Sequence, residues 1–250
     1  MVPEGPPIDG TLDSPLWHMC PPLVLGHATS DRPAELPTTA RVLFSPTHLY
    51  LAVECFDPDT DAITKAVTER DGPVYTDDSV EFFVSGDPRV AYYQFCFNAV
   101  GTVMDGKFAP GQRVDKSWNC AVEIKTSVEK DKRWILTARF PLADLGAYVG
   151  EDQLWAMNIN RNCKPRGGKT VPHLSWSVME KTDWHAVNDY GVVGGVKIPK
   201  RADGVTRVAA SPPRPPKYLR GTEVGGVTVY LRIDALDIPD EGKGTQKHID

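Results

Sequence analysis

The stretch between residues 73 and 98 constrains the fold more than any other part of the chain. It contains two runs in which apolar side chains recur at every second position, namely Val80, Phe82 and Val84, then Tyr93, Phe95 and Phe97. This alternation predicts two β-strands that each place their apolar side chains on one face. Turn-forming residues at Ser85–Pro88 separate the runs, so we expect a β-hairpin with one face in a hydrophobic core.

The opposite face of the predicted hairpin is polar and carries Glu81, Gln94 and Asn98. A later predicted strand, Leu154–Asn162, repeats this arrangement. Its polar side chains are Asn158, Asn160 and Asn162. Asparagine is disfavoured in strands, so a row of asparagines indicates a face that hydrogen-bonds a polar ligand. A solvated outer face, which antiparallel sheets commonly have, is the alternative interpretation.

The pattern of the whole chain is typical of an all-β protein. Roughly ten to twelve short runs have strand character, turn residues separate them, and helical patterns are scarce. We predict a two-sheet antiparallel β-sandwich, jelly-roll or immunoglobulin-like, with a C-terminal extension. The sandwich is expected at residues 1–198. Residues 199–250 are predicted to be a linker, proline-rich at 209–216, and a tail with one possible strand at 226–236.

Composition argues against several functions. The net charge of −5 over 250 residues offers no basic surface for nucleic acid. No apolar run approaches the roughly 18 residues of a membrane span, and the first seven residues lack the pattern of a secretion signal. The five cysteines include no CxxC pair, which argues against a zinc knuckle. Cys55 and Cys96 lie inside predicted strands and are expected to be buried.

The chain resembles carbohydrate-binding module family 9 across about Ile8–Val196. Seven segments carry the resemblance in family order, and they are IDGTLDSPLW, ARVLFSPTHLYLAVECFDPD, DDSVEFFV, YYQFCFNAVGTV, WILTARFPLADLG, WAMNINRN and LSWSV followed by DWH. The resemblance implies a DOMON-like β-sandwich that binds carbohydrate and catalyses nothing. It also implies linkage to a glycosidase or another polysaccharide-degrading domain, and an extracellular or periplasmic location.

The resemblance assigns candidate binding residues. Tyr75 stands where the family has a tryptophan, Trp184 matches the second aromatic platform, and Glu81 matches a glutamate that binds hydroxyls. Asn160 stands where a binding glutamine would lie, and Cys96 replaces an arginine. With the polar faces described above, the predicted carbohydrate-binding residues are Tyr75, Glu81, Gln94, Asn98, Asn160, Asn162 and Trp184.

A metal site is a further expectation. Asp57, Asp59 and Asp61 alternate along one predicted loop. Calcium prefers several hard oxygen ligands, although the EF-hand spacing is missing here and a solvated loop is the alternative. The resemblance also implies structural calcium, so we predict calcium at these three carboxylates.

Two other functions stay open. Some DOMON-like relatives bind haem, and Met157 with His173 could supply axial ligands, although Met157 alternates with core residues. Asp77, Asp78 and Glu81 could instead act in a glycoside hydrolase. These acids lie within four residues of one another and do not face each other across a substrate, which argues against the hydrolase hypothesis.

Overall fold

Two antiparallel sheets form the part of the chain that the computed structural model describes, residues 2–88, 90–109, 111–146, 150–165, 172–198, 218–224 and 227–232. The described strands are, in chain order, β1 (Leu23–Val24), β2 (Gly26–His27), β3 (Thr38–Phe44), β4 (His48–Phe56), β5 (Ser79–Asp87), β6 (Ala91–Asn98), β7 (Val103–Phe108), β8 (Glu123–Glu129), β9 (Arg133–Pro141), β10 (Gly150–Asn162), β11 (Leu174–Ser175), β12 (Gly191–Ile198), β13 (Tyr218–Val224) and β14 (Val227–Arg232). Within these described ranges, helical structure is limited to short 3-10 turns at Pro15–Met19, Thr60–Ala62, Val74–Thr76 and Val187–Asp189. The prediction of an all-β, two-sheet fold is confirmed.

The strand order places the predicted hairpin near the middle of the larger sheet. The smaller sheet runs β1-β3-β4-β9-β8, and the larger runs β13-β14-β12-β10-β5-β6-β7, with β11 paired to β10 and β2. Strand β10 pairs with β5 so that Asn160 lies opposite Glu81, and β5 pairs with β6 so that Glu81 lies opposite Cys96. Directly opposed residues in antiparallel strands share a face. The polar side chains of these three strands therefore lie together.

The core lies between the two sheets, as the alternation predicts. All six apolar side chains of the hairpin are buried in it. Phe140 of β9, on the smaller sheet, packs between hairpin rings, with centroids 4.7 Å from Phe95 and 5.4 Å from Phe82. Aromatic rings at these separations bury large apolar areas, and they hold the two sheets together.

The hairpin turn lies later than predicted. Strand β5 continues to Asp87 and β6 begins at Ala91, so Ser85 and Gly86 belong to the strand. Pairing shifts between Val84 and Asp87, which marks a bulge. The Trp155 ring lies about 3.5 Å from where a Cβ on Gly86 would stand, which is ordinary van der Waals contact, so packing against Trp155 does not by itself require glycine.

The larger sheet continues into the C-terminal extension. Strand β14 pairs with β12, and β13 pairs with β14. The sequence predicted one strand here, and the structure has two. The predicted linker at 209–216 and the tail after residue 232 lie outside the described residues, and the domain boundary at 198 stays a prediction.

A buried ion pair joins the two sheets. Arg161 of β10 and Asp57, directly after β4, are both almost inaccessible, and the Arg161 Nη2 donates to the Asp57 Oδ2 at 3.2 Å. The Nη1 donates to the Thr38 hydroxyl and to the Phe56 carbonyl, each at 3.0 Å. A charge removed from water is tolerated only when it is paired and hydrogen-bonded, so these four groups depend on one another.

Substitution of Asp57 should therefore destabilise the fold strongly. Asp57→Asn leaves the Arg161 guanidinium buried without its counter-charge, and we expect a loss of about 3–5 kcal/mol in the free energy of unfolding, measured by urea denaturation. The control is Asp61→Asn, which breaks an exposed pair with Lys130 (3.4 Å) and should cost less than about 1 kcal/mol. Equal losses in the two variants would contradict the prediction.

Candidate functional site

A cleft of about 400 Å³ opens on the outer face of the larger sheet. The structure brings five of the seven predicted binding residues to its lining, namely Tyr75, Glu81, Gln94, Asn162 and Trp184. They come from the loop before β5, from β5, β6 and β10, and from the loop before β12. Residues more than 100 positions apart in the chain thus converge on one concave surface.

Glu81 forms the buried floor of the cleft. Its two carboxylate oxygens accept hydrogen bonds from the Gln94 Nε2 at 2.6 Å and from the Asn162 Nδ2 at 2.7 Å. Burial raises the pKa of Glu81, whereas the two amide donors and the nearby Lys164 act to lower it. A carboxylate oxygen has more than one acceptor position, so Glu81 can still accept a hydrogen bond from a ligand hydroxyl.

Tyr75 stands at one side of the cleft and is half exposed, at 51%. It lies on the 3-10 helix Val74–Thr76, directly before β5. Two buried carboxylates fasten this segment, because Asp77 and Asp78 accept backbone N–H bonds from the preceding loop at 2.7 to 3.0 Å. The ring of Tyr75 is therefore exposed on a fixed backbone, as a platform for a ligand requires.

Trp184 stands on a loop that aromatic contacts hold against the sheet. The Tyr190 hydroxyl donates to the Trp184 carbonyl at 2.6 Å. The His173 ring meets the indole edge-on, with centroids 5.5 Å apart. The neighbouring His185 packs on Phe108 with centroids 4.8 Å apart. These contacts place the half-buried indole at the rim of the cleft.

Two predicted binding residues do not line the cleft. Asn98 is fully buried and its amide is occupied, since Nδ2 donates to the Val67 carbonyl and to Asp77, while Oδ1 accepts the amides of Val100 and Thr102. Asn98 therefore supports the loop that carries Tyr75.

Asn160 is also inaccessible, although it lies opposite Glu81 on the neighbouring strand. Neither polar atom of its side chain has a partner among the described residues. Its place on the polar face agrees with the sequence pattern, but burial separates it from the cleft. Its role in binding stays a prediction.

The cleft also contains residues that sequence reasoning did not assign to it. They include Met104, Phe108, Lys164, His173 and His185. The first two lie four residues apart on β7 and therefore share one face of that strand. Lys164 follows β10 in an irregular segment, where no periodic pattern identifies a side chain's direction.

The three aspartates predicted to bind calcium point to separate partners. Asp57 pairs with the buried Arg161, Asp59 caps the next 3-10 helix, and Asp61 pairs with Lys130. Within the described residues, no group of three or more His, Cys, Asp or Glu side chains could hold a metal ion. The three carboxylates thus do not fit a shared calcium ion, because they do not converge.

The alternative functions find little support in the geometry. Met157 lies in the core between the sheets, whereas His173 lines the cleft on the outer face, so the two cannot ligate one haem iron. Asp77 and Asp78 are buried and support the Tyr75 loop, which leaves Glu81 as the member of that acidic group in the cleft. Cys55 and Cys96 are buried, as predicted, and Cys96 is a free thiol.

Comparison with known proteins identifies the family. The family model described as carbohydrate family 9 binding domain-like matches residues 8–196. The chain belongs to this family. A search of curated proteins returns no match. Among the described residues of this family 9 domain, no helix has the length and apolar character needed to cross a bilayer.

Solved structures show the same fold at low sequence identity. A family 9 module from Caldicellulosiruptor kristjanssonii in complex with cellotriose is 16% identical, with a TM-score of 0.56 over 83% of this chain and 96% of that chain. The family 9 module from the same organism in complex with glucose is also 16% identical, with a TM-score of 0.53 over 80% of this chain and 94% of that chain. A candidate carbohydrate-binding protein from Bacteroides uniformis is 19% identical, with a TM-score of 0.57 over 71% of this chain and 87% of that chain.

The raised pKa of Glu81 makes a prediction for stability. The folded state binds the Glu81 proton more tightly than the unfolded state, so this group contributes most to stability at low pH, and its contribution falls as pH rises through the folded pKa. Glu81→Gln removes that dependence. The difference in unfolding free energy between the variant and the unaltered domain should therefore move in favour of the variant as pH rises from about 4 to about 7, measured by urea unfolding. A pH-independent difference would contradict this.

Proposed function

We propose that this family 9 domain binds carbohydrate without catalysis, holding a sugar ring between Tyr75 and Trp184 above Glu81. The observation that carries the proposal is the convergence of these three side chains on one cleft. Sugar rings present C–H faces that pack on aromatic rings, and their hydroxyls need planar polar partners. Glu81 accepts hydrogen bonds, while the amides of Gln94 and Asn162 orient its carboxylate.

The carboxylates of the cleft suit binding better than hydrolysis. A glycosidase needs two carboxyl groups that face each other across the scissile bond, one of them free to transfer a proton. Besides Glu81, the lining includes Asp71 and Asp105. The Asp71 Oδ1 accepts the Asp105 amide at 3.3 Å. The Asp105 Oδ2 is held by Arg70 at 2.7 Å and by the Cys120 amide at 3.0 Å, and its Oδ1 is buried without a hydrogen-bond partner among the described residues. One oxygen of each of these two carboxylates is thus engaged within the structure.

We further propose that the ligand is a polysaccharide or oligosaccharide, and that the domain serves a polysaccharide-degrading protein outside the cytoplasm. The solved family 9 complexes that share this fold contain cellotriose and glucose, which makes β-glucan fragments the first ligands to examine. A linked glycosidase domain would gain local concentration at its substrate from such a module.

Removal of either aromatic platform should weaken carbohydrate binding. In calorimetric titrations with cellotriose and a panel of other oligosaccharides, Trp184→Ala and Tyr75→Ala should each lower affinity at least about tenfold, because a stacked ring loses its apolar contact. The matched control is Met19→Ala. Met19 is similarly exposed, at 50%, but lies on the N-terminal 3-10 helix away from the cleft.

Two results would count against the proposal. One is the absence of heat with every sugar in a broad panel. The other is unchanged affinity in both aromatic variants while a sugar does bind, since binding would then occur elsewhere. Unfolding curves of all three variants show whether any loss of affinity comes from a loss of fold.

A further inference from the structure

Glu81 is a buried carboxylate that lacks an adjacent counter-charge. It is 3% exposed, and no ion pair within 4.0 Å joins it to a basic side chain among the described residues. The two amide hydrogen bonds satisfy its oxygens but carry no net charge. An ionised group in such a place depends on positive charge nearby, because burial alone favours the neutral acid.

The neighbours of Glu81 in the sheet cannot supply that charge. The residues directly opposite it are Cys96 on β6 and Asn160 on β10. Burial raises the pKa of the Cys96 thiol well above its usual value, so the thiol is neutral. The asparagine has no charge at any pH. A cation for this floor must therefore come from outside the three central strands.

Two lysines line the cleft, Lys116 and Lys164, and Lys164 is the one whose charge acts on Glu81. It follows Asn162, the amide donor to Glu81, by two residues and lines the cleft. Its backbone N–H donates to the Asp78 Oδ1 at 2.9 Å, and its Nζ donates to the Tyr75 carbonyl at 2.9 Å. The first contact fixes the backbone of Lys164, and the second holds its ammonium at the Tyr75 carbonyl, in the lining of the same cleft as Glu81.

We propose that Lys164 is the specificity-determining cation of the cleft, a role that rests on the proposed carbohydrate binding. An ammonium has three N–H donors, and the Tyr75 carbonyl takes one. The others remain for ligand oxygens. A sugar hydroxyl can accept from Lys164 and donate to Glu81, which selects ligands that place hydroxyls at this end of the cleft.

The charge of Lys164 also acts on Glu81 itself. It is the cation that lowers the pKa of Glu81 against the effect of burial. Loss of this charge should raise the pKa of Glu81 further, so that the carboxylate becomes protonated at a higher pH. Binding that needs the ionised carboxylate would then be lost earlier as the solution is acidified.

The test compares Lys164→Gln and Lys164→Arg with Lys125→Gln. Lys125 is exposed on β8 of the other sheet, so its variant removes the same charge far from the cleft. Calorimetry with cellotriose from about pH 4 to about pH 7.5 gives affinity and its pH profile. A carbon-13 titration of the Glu81 carboxyl, assigned by its loss in Glu81→Gln, reports the Glu81 pKa without any sugar.

We expect Lys164→Gln to lose about tenfold or more in affinity and to move the acid limb of the binding profile and the Glu81 titration to higher pH. Lys164→Arg should retain the Glu81 titration, and Lys125→Gln should change nothing. An unchanged Glu81 titration in Lys164→Gln would overturn the proposal. The proposal would also be overturned if Lys164→Gln and Lys164→Arg lost affinity equally and kept the pH profile of the unaltered domain. That result would indicate that Lys164 has only a structural role.

The two proposals fail in different ways. If the unaltered domain binds no sugar while the Glu81 titration still responds to Lys164→Gln, the proposed function fails and the electrostatic role of Lys164 stands. If sugars bind with the same affinity and pH profile in Lys164→Gln, the proposed function stands and the specificity role of Lys164 is overturned.

Discussion

The pairing register of β10, β5 and β6 is the constraint on which the rest of the structure depends. Period-two alternation gives each of these strands one apolar and one polar face, and the register aligns the polar faces across the sheet. A slip of one residue in β5 would turn Glu81 into the core and Phe82 out to solvent. The aromatic packing between the sheets therefore fixes the register, and the register fixes the cleft. Stability and the candidate site depend on the same contacts.

Two of the buried acids, Asp57 and Glu81, show how differently a sandwich can accommodate charge. Asp57 is paired directly with Arg161, and hydrogen bonds to Thr38 and a backbone carbonyl surround the pair. Such a pair is closed to other partners and supports the joining of the sheets. Glu81 instead has amide donors and a more distant cation. The negative charge of Glu81 is therefore less fully compensated than that of Asp57. A hydrogen bond from a ligand hydroxyl contributes most binding free energy at such a carboxylate.

The fold could be predicted from the sequence because alternation is a local signal, whereas the site depends on contacts between distant segments. The side-chain faces of β5, β6 and β10 follow from position alone, and Glu81, Gln94 and Asn162 lie in the lining of one cleft. The same signal cannot distinguish Asn98 from the residues that line the cleft, because the Asn98 amide hydrogen-bonds to the segment that supports Tyr75. Alternating aspartates suggested a metal site, but Asp57 has a partner more than 100 residues away. Lys164 lies in a segment without periodicity, and only the folded structure shows its direction.

Family membership and ligand choice rest on different parts of this molecule. The sandwich is retained at 16% identity because many apolar sequences can fill one alternating core. Tyr75 and Trp184 lie outside the strands, in segments of the kind that tolerate sequence change better than a core does. On the central strands, the buried thiol of Cys96 is neutral, and the proposed cation of the cleft, Lys164, follows β10 instead. The ligand choice of this domain is therefore to be sought in that proposed cation as much as in the aromatic platforms.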